Sequence, residues 1–222
     1  MIPVTTLSEL TIDGKLTLGP GASSKDLFDF YGDDLRQWFH AERARHDAIM
    51  VGAGTVRSDD PELTVRHAPG ANPLRVVPSS TGLLPLDCRM LTDGVPTLIA
   101  VAEEVPDATI SALGAKGSVE VVRCGRGRVD LAALMTLLEA RGVRSLVAEG
   151  GSRLLHDLFA GNLVSRIIIK HIPVLTGAPE APTFLGDGAG QAPVNLSRWV
   201  LEDLFVKSGV PVSIYRPLAK PS

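Results

Sequence analysis

Residues Asp47 to Arg66 read DAIMVGAGTVRSDDPELTVR. The apolar run Ala48 to Val51 predicts a short buried strand, and Gly52-Ala53-Gly54 stops it. Thr55 is the expected start of a short helix, which Asp59-Asp60-Pro61 ends. A strand that breaks into a glycine turn and then a helix converges free backbone N–H groups on one point, which suits a phosphate or another anion. A second junction of this kind lies downstream. Ser145 to Ser152 reads SLVAEGGS, a strand ending in Gly150-Gly151 before a helix expected over Arg153 to Phe159 and closed by Gly161-Asn162.

Outward from these two junctions the pattern alternates. Strands are expected at Val4 to Ile12, Leu74 to Val77, Val95 to Ala102, Val119 to Val122 and Ser165 to Leu175. Ser24 is the expected N-cap of a helix from Lys25 to about Arg45, divisible at Gly32, with its aromatic residues in the core. Further helices are expected over Asp107 to Leu113 and from an Asp130 cap to Arg141, where Leu131, Leu134 and Leu138 share a face. Strands separated by helices indicate an α/β fold with a largely parallel sheet flanked by helices. The tail differs: Trp199 to Val206 and Val210 to Tyr215 read as an antiparallel hairpin around Lys207-Ser208-Gly209. Gly177 to Pro193 is a long Gly/Pro loop, expected to be exposed.

With 222 residues and 45% apolar content, a single domain over 1–222 is expected. The net charge of −3 gives no reason to expect a nucleic-acid partner. The N-terminus MIPVTTLSEL lacks the basic flank and apolar run of a signal peptide, and no stretch is long and apolar enough to span a membrane, so a cytoplasmic protein is expected. Cys88 and Cys124 have no neighbours at metal-ligand spacing, and no metal is expected. A disulfide between them is one option; reduced thiols are the expectation in the cytosol.

The string T-V-x-x-D-D-P-x-L-T-V-R, carried here by Thr55, Val56, Asp59, Asp60, Pro61, Leu63, Thr64, Val65 and Arg66, closely resembles the reductase domain of riboflavin biosynthesis (the RibD C-terminal domain family), which has a dihydrofolate-reductase-like fold. Asp13-Gly14-Lys15 and Glu149-Gly150-Gly151 extend the resemblance over most of the chain. It implies hydride transfer from NADPH to a pyrimidine bearing a ribosylamino 5′-phosphate, whose sugar opens and is reduced to a ribityl chain. It also implies a homodimer, and the isoleucine-rich Ser165 to Leu175 segment could serve as an interface or equally as an internal strand. The H-x-E and P-C-x-x-C signatures of the zinc deaminase that precedes this domain in bifunctional relatives are absent, so a stand-alone reductase is expected.

Carried over by position, the expected cofactor set is Gly52, Gly54, Thr55, Asp59, Ser80, Gly150, Gly151, Ser152, Arg153 and Leu154. Ser79 replaces the family's usual aspartate after the third strand, which leaves room for a 2′-phosphate; an ordinary Ser/Thr turn reads the same way. Arg153 is either a phosphate contact or a solvated helix residue. The expected substrate set is Ser23, Arg43, Leu63, Arg66 and Glu149, with Arg43 and Arg66 suited to the substrate phosphate. The alternatives are a helix-terminal arginine for Arg43, an ion pair with Asp59 or Asp60 for Arg66, and a structural carboxylate for Glu149. Glu149 is also the candidate for the catalytic proton path. Leu7 stands where many bacterial members carry a lysine, Glu9 where a small residue is usual, and Lys25 where a tryptophan is usual. These departures bear on the substrate more than on the fold. They keep open a pterin or folate reductase on the same fold and a non-catalytic NADPH-binding relative. A true Rossmann dehydrogenase is weakened because Gly52-Ala53-Gly54 lacks a third glycine at the required spacing.

Overall fold

The computed structural model describes residues 2–186, 194 and 197–218. Nine strands form one sheet: β1 (Val4–Thr11), β2 (Ala48–Met50), β3 (Leu74–Pro78), β4 (Thr97–Val101), β5 (Val119–Arg123), β6 (Leu146–Ala148), β7 (Val164–Ile172), β8 (Trp199–Lys207) and β9 (Val210–Pro217). Their order is β5-β4-β3-β2-β6-β1-β7-β9-β8. All pairings from β5 across to β7 are parallel; β9 runs antiparallel to both β7 and β8. This order is not that of a Rossmann sheet.

The helices are α1 (Asp33–Ala44), α2 (Ala53–Asp59), α3 (Arg89–Thr92), α4 (Asp107–Gly114), α5 (Leu131–Ala140) and α6 (Ser152–Ala160), with a 3-10 segment at Ser24–Phe30. The short parallel strands are buried on both faces, so alternate residues feed two cores. Ile49, Val51 and Val147 pack with Leu35 and Phe39 of α1, Val56 of α2 and Leu113 of α4. Ala48, Met50, Leu146 and Ala148 pack with Leu134 and Leu138 of α5 and Leu154 and Leu158 of α6.

Several details differ from the sequence reading. The segment after residue 24 divides at Gly32, and its cap is Ser23, whose side chain accepts from the Lys25 N–H, rather than Ser24. The helix after Gly52 begins at Ala53, two residues before Thr55. At the end of α6, Gly161 stays right-handed and Asn162 takes the left-handed conformation (φ 52°). β7 lies inside the sheet, with Ile168 and Ile172 buried, while Ile169 on its other face is partly exposed. The Gly/Pro loop is not simply exposed. Lys15 Nζ donates to the carbonyls of Pro179 (3.0 Å) and Ala181 (3.3 Å), Ala181 is buried, and Asp13 accepts from the backbone N–H groups of Thr176 and Gly177. The Asp13-Gly14-Lys15 turn therefore ties this loop down. Its remainder, residues 187–193, lies outside the described residues.

Candidate active site

The two strand–glycine–helix junctions lie side by side because β2 and β6 are hydrogen-bonded neighbours. The Gly52 N–H donates to the Gly150 carbonyl at 2.9 Å, and the Glu149 N–H donates to the Met50 carbonyl at 3.0 Å. Gly150 holds φ at +116°, a conformation that favours glycine. A Cβ on Gly151 would stand 3.0 Å from Thr55 Oγ1, so the two turns meet closely.

A cleft of about 650 Å³ opens over these junctions. Gly52, Ala53, Gly54, Ser152, Arg153 and Leu154 form one side, and Pro78 to Thr81 at the end of β3 form another. The tethered segment Pro179 to Thr183 closes part of the rim. Ser79 Oγ and Ser152 Oγ are buried here without a hydrogen-bond partner. An unmatched buried hydroxyl is costly unless a ligand completes it. Ser80, the expected contact, already accepts from the Val129 N–H at 3.1 Å. Arg57, Arg128 and Arg153 also line the cleft, and no carboxylate stands at the end of β3. Unmatched hydroxyls, closely packed glycines and three guanidiniums suit a dinucleotide with an added phosphate.

A second cavity of about 290 Å³ lies beyond α2, on the face of the sheet covered by α1. Thr55 and Asp59, expected at the cofactor, open onto this second cavity. Asp59 is buried and accepts from Ser23 Oγ (2.9 Å) and Ser24 Oγ (2.7 Å), which fastens the loop before the 3-10 segment. Ser23 is thereby consumed by capping and by Asp59; Ser24 and Lys25 are the residues of that loop that line the cavity. Leu63 lines it from a left-handed backbone (φ 52°).

Arg43 and Glu149 are brought together from α1 and the end of β6. The guanidinium donates Nε to Oε1 at 2.7 Å and Nη2 to Oε2 at 2.6 Å, and Nη1 donates to the Thr64 carbonyl at 3.1 Å. Both side chains are more than nine-tenths buried. Burial works against the Arg43 charge, but Glu149 outweighs it and holds the guanidinium above its usual range. Three of the five guanidinium N–H donors are thereby committed, and two remain for a ligand. Arg66 stands at the exposed rim, paired with Glu62 rather than with Asp59 or Asp60. Arg36, on α1, lines the same cavity and has no side-chain partner among the described residues. His40 accepts from the Arg66 N–H at Nδ1. Burial, then the charges of Arg43, Arg66 and His67, push its pKa down to about 3.

Sequence reasoning missed a second buried charge pair. Lys170 on β7 is fully buried and donates to Glu9 Oε1 on β1; Tyr31 donates its phenol to the same oxygen. The Lys170 ammonium lies 3.7 Å from the Phe39 ring centroid and 4.9 Å from that of Tyr31. Burial pushes the Glu9 carboxyl up, but Lys170 and the two hydrogen bonds outweigh it and leave it below its usual range. Burial together with the Glu9 charge pushes the Tyr31 phenol well above its usual value. The available signal was a glutamate in the strand VTTLSELT and a lysine after the isoleucine run of VSRIIIKHI. Both cysteines are free and buried, and the described residues hold no cluster able to bind a metal ion.

The RibD C-terminal domain profile matches residues 4–204. The chain is 39% identical over 202 residues, 90% of each chain, to 2,5-diamino-6-ribosylamino-4(3H)-pyrimidinone 5′-phosphate reductase of Aquifex aeolicus. Its fold resembles that of a pyrimidine reductase-like protein of Corynebacterium diphtheriae, with a TM-score of 0.82 and 19% identity over 99% of this chain and 93% of that one. It also resembles a Thermotoga maritima diaminohydroxyphosphoribosylaminopyrimidine deaminase/5-amino-6-(5-phosphoribosylamino)uracil reductase, with a TM-score of 0.76 and 22% identity over 98% of this chain and 57% of that one. The chain belongs to the RibD C-terminal domain family.

Proposed function

We propose that this chain is an NADPH-dependent reductase of riboflavin biosynthesis. In this reading it converts the ribosylamino chain of a pyrimidine 5′-phosphate to the ribityl chain. The observation that carries the reading is the junction at Gly52 to Thr55. On one side it borders a cleft with unmatched hydroxyls and arginines; on the other it borders a cavity with a bound-in charge framework. Ser152 and the N-terminal turn of α6 would hold the pyrophosphate, and Ser79, Ser80, Arg57 and Arg128 the adenosine ribose and its 2′-phosphate. A reduced nicotinamide bound there supplies the hydride. Arg36 and Arg66, with His67 beside them, form the cationic rim for the substrate phosphate. Glu149 has one lone pair on each oxygen committed to Arg43; the others are left for the substrate or for a water that carries a proton.

The test is NADPH oxidation with the ribosylaminopyrimidine phosphate, and with dihydrofolate in parallel, for wild type and Arg66→Ala. Turnover of the pyrimidine that Arg66→Ala impairs is expected. Turnover of dihydrofolate alone would make the protein a pterin reductase, and NADPH binding without either turnover would make it a non-catalytic relative. No helix among the described residues is long and apolar enough to cross a membrane, which accords with a cytoplasmic enzyme acting on a small phosphorylated substrate. A homodimer is part of the proposal. The face proposed for the interface carries Leu201, Leu204 and Val206 of edge strand β8, each about half exposed or more, and continues through β9 to Ile169 of β7. Light scattering on wild type and Leu204→Glu checks this: a dimer that the charge splits is expected.

A further inference from the structure

On β1, Leu7 and Glu9 lie on one face, and their register partners on β7 are Ile168 and Lys170. The first pair is apolar and packs in the core. The second is ionic, and it occurs where that face of the sheet reaches the second cavity. A buried ion pair contributes little net stability compared with an apolar pair of similar volume, because both charges lose their hydration. Packing alone therefore does not account for it. The pair is also lopsided. Lys170 is fully buried and does not line the cavity, whereas Glu9 does, with its side chain 12% exposed. Lys170 and Tyr31 both bond Oε1, and no other side chain among the described residues bonds Oε2. Glu9 is thus the member of the pair that borders the cavity, and Lys170 holds its charge from behind.

The surroundings say which part of a ligand this oxygen meets. Phe28, Tyr31 and Phe39 cluster beside Glu9 with ring centroids 5.1 to 6.2 Å apart, and Val51 and Leu63 also line the cavity. This apolar, aromatic end suits a flat heterocycle. The cationic residues Arg36 and Arg66, with His67 beside them, lie on the more open side and suit the phosphate. A pyrimidinone with an amino group at C2 and a proton on N3 offers two adjacent N–H donors. Its deaminated counterpart keeps the N3–H but turns a carbonyl oxygen towards the same place. A carboxylate accepts only, so it bonds the first edge and meets lone pairs on the second.

We propose that Glu9, backed by Lys170, is the specificity determinant that makes this enzyme prefer the 2-amino pyrimidinone over the deaminated uracil form. The inference rests on the reductase reading above and adds the choice between the two forms. Glu9 touches the substrate; Lys170 is a positioning residue that acts through it.

The experiment measures kcat/KM for NADPH-dependent reduction of the diaminopyrimidinone and the aminouracil ribosyl phosphates, and the dissociation constants of both without cofactor by calorimetry. Wild type is expected to prefer the amino form by at least about 100-fold. Glu9→Gln turns the acceptor into an acceptor beside a donor, which matches the uracil edge, and is expected to cut the preference at least tenfold, mainly through KM. Glu9→Gln/Lys170→Met removes the uncompensated ammonium and should show the same collapse in a well-folded protein. Lys170→Met alone should weaken the preference, a ratio that a merely structural role would leave unchanged. A preference for the uracil form in wild type overturns the proposal. So does a ratio unchanged within threefold in both folded Gln variants. If wild type reduces neither compound, the reductase reading fails; the calorimetric preference and its loss in Glu9→Gln then decide the Glu9 assignment separately.

Discussion

The cleft proposed for the cofactor and the cavity proposed for the substrate share helix α2 but are lined differently. The cleft is lined by glycine turns and short hydroxyl side chains from the two junctions and the end of β3, with Arg57, Arg128 and Arg153 around them. These turns come with the fold: once β2 pairs with β6, Gly52, Gly54 and Ser152 are in place. The cavity is built from charged side chains that meet across long sequence separations. Arg43 finds Glu149 106 residues away, and Glu9 finds Lys170 161 residues away. One site follows from backbone geometry, the other from pairwise charge compensation inside a core. A change in the cavity is therefore expected to disturb stability and chemistry together, and a change in the cleft to disturb binding alone.

Glu149→Ala gives the largest contrast. It strands the buried Arg43 guanidinium, and breaking one partner of such a pair costs on the order of 3–5 kcal/mol. The melting temperature should fall by about 10 °C, with activity lost, as scanning calorimetry and the NADPH assay will read. Glu149→Gln, which keeps one acceptor, should lose less stability. If Glu149→Ala melts like wild type, the cavity is not held by charge compensation.

The His40 imidazole sharpens the same point through pH. It is buried among Arg43, Arg66 and His67, and its pKa is pushed down to about 3. In the unfolded chain it takes up a proton near pH 6.5. Between these values the unfolded state binds more protons, so stability is full above about pH 6.5 and is lost as pH falls towards 3. At pH 5 the His40 contribution to this loss is on the order of 2 kcal/mol. Denaturant titrations from pH 7.5 to 4.5 should show a shallower decline for His40→Gln than for wild type. Parallel curves would mean that His40 is not held neutral.

The same division explains how much could be read beforehand. Both strand–glycine–helix junctions, the parallel sheet and the antiparallel tail were legible because each is written in neighbouring residues: apolar runs, glycines and caps. Asp130, for example, caps α5 by accepting from the Ala133 N–H three residues on. The cavity was legible only in part. Arg43, Arg66 and Glu149 were found through the resemblance, yet nothing local indicated that Arg43 is bound by Glu149, 106 residues away, whereas the Glu62–Arg66 pair at i,i+4 was within reach of the sequence. Lys170 was hidden because a lysine in an isoleucine run has meaning only once the β1–β7 register sets it against Glu9. The tether of the Gly/Pro loop was hidden for a similar reason: Gly177, Pro179 and Glu180 are exposed as expected, but Lys15, far away in sequence, holds Pro179 and Ala181 at the cleft.

At the rim of the cavity, charge is less buried and the effect should be smaller and confined to binding. Arg66 is nearly half exposed and is already shared with Glu62, so losing it should cost little stability. Arg66→Ala is expected to raise KM for the phosphorylated substrate about tenfold, since a charge-assisted bond contributes roughly 1.5–3 kcal/mol, with kcat changed less than threefold. Arg36→Ala should behave alike. A fall in kcat without a rise in KM would place Arg66 at the reacting end rather than at the phosphate.

The smallest expected effect lies in the cleft, on the side chain least tied to its surroundings. Arg153 is exposed at the start of α6 and has no side-chain partner among the described residues, so nothing in the fold depends on it. Arg153→Ala should leave the melting temperature within about 1 °C. If Arg153 reaches a cofactor phosphate through solvent-exposed charge, KM for NADPH should rise severalfold and the rise should shrink as salt is added. The substrate KM should not move. A substrate effect from Arg153→Ala would mean that the two sites, built from such different material, nevertheless communicate through α2.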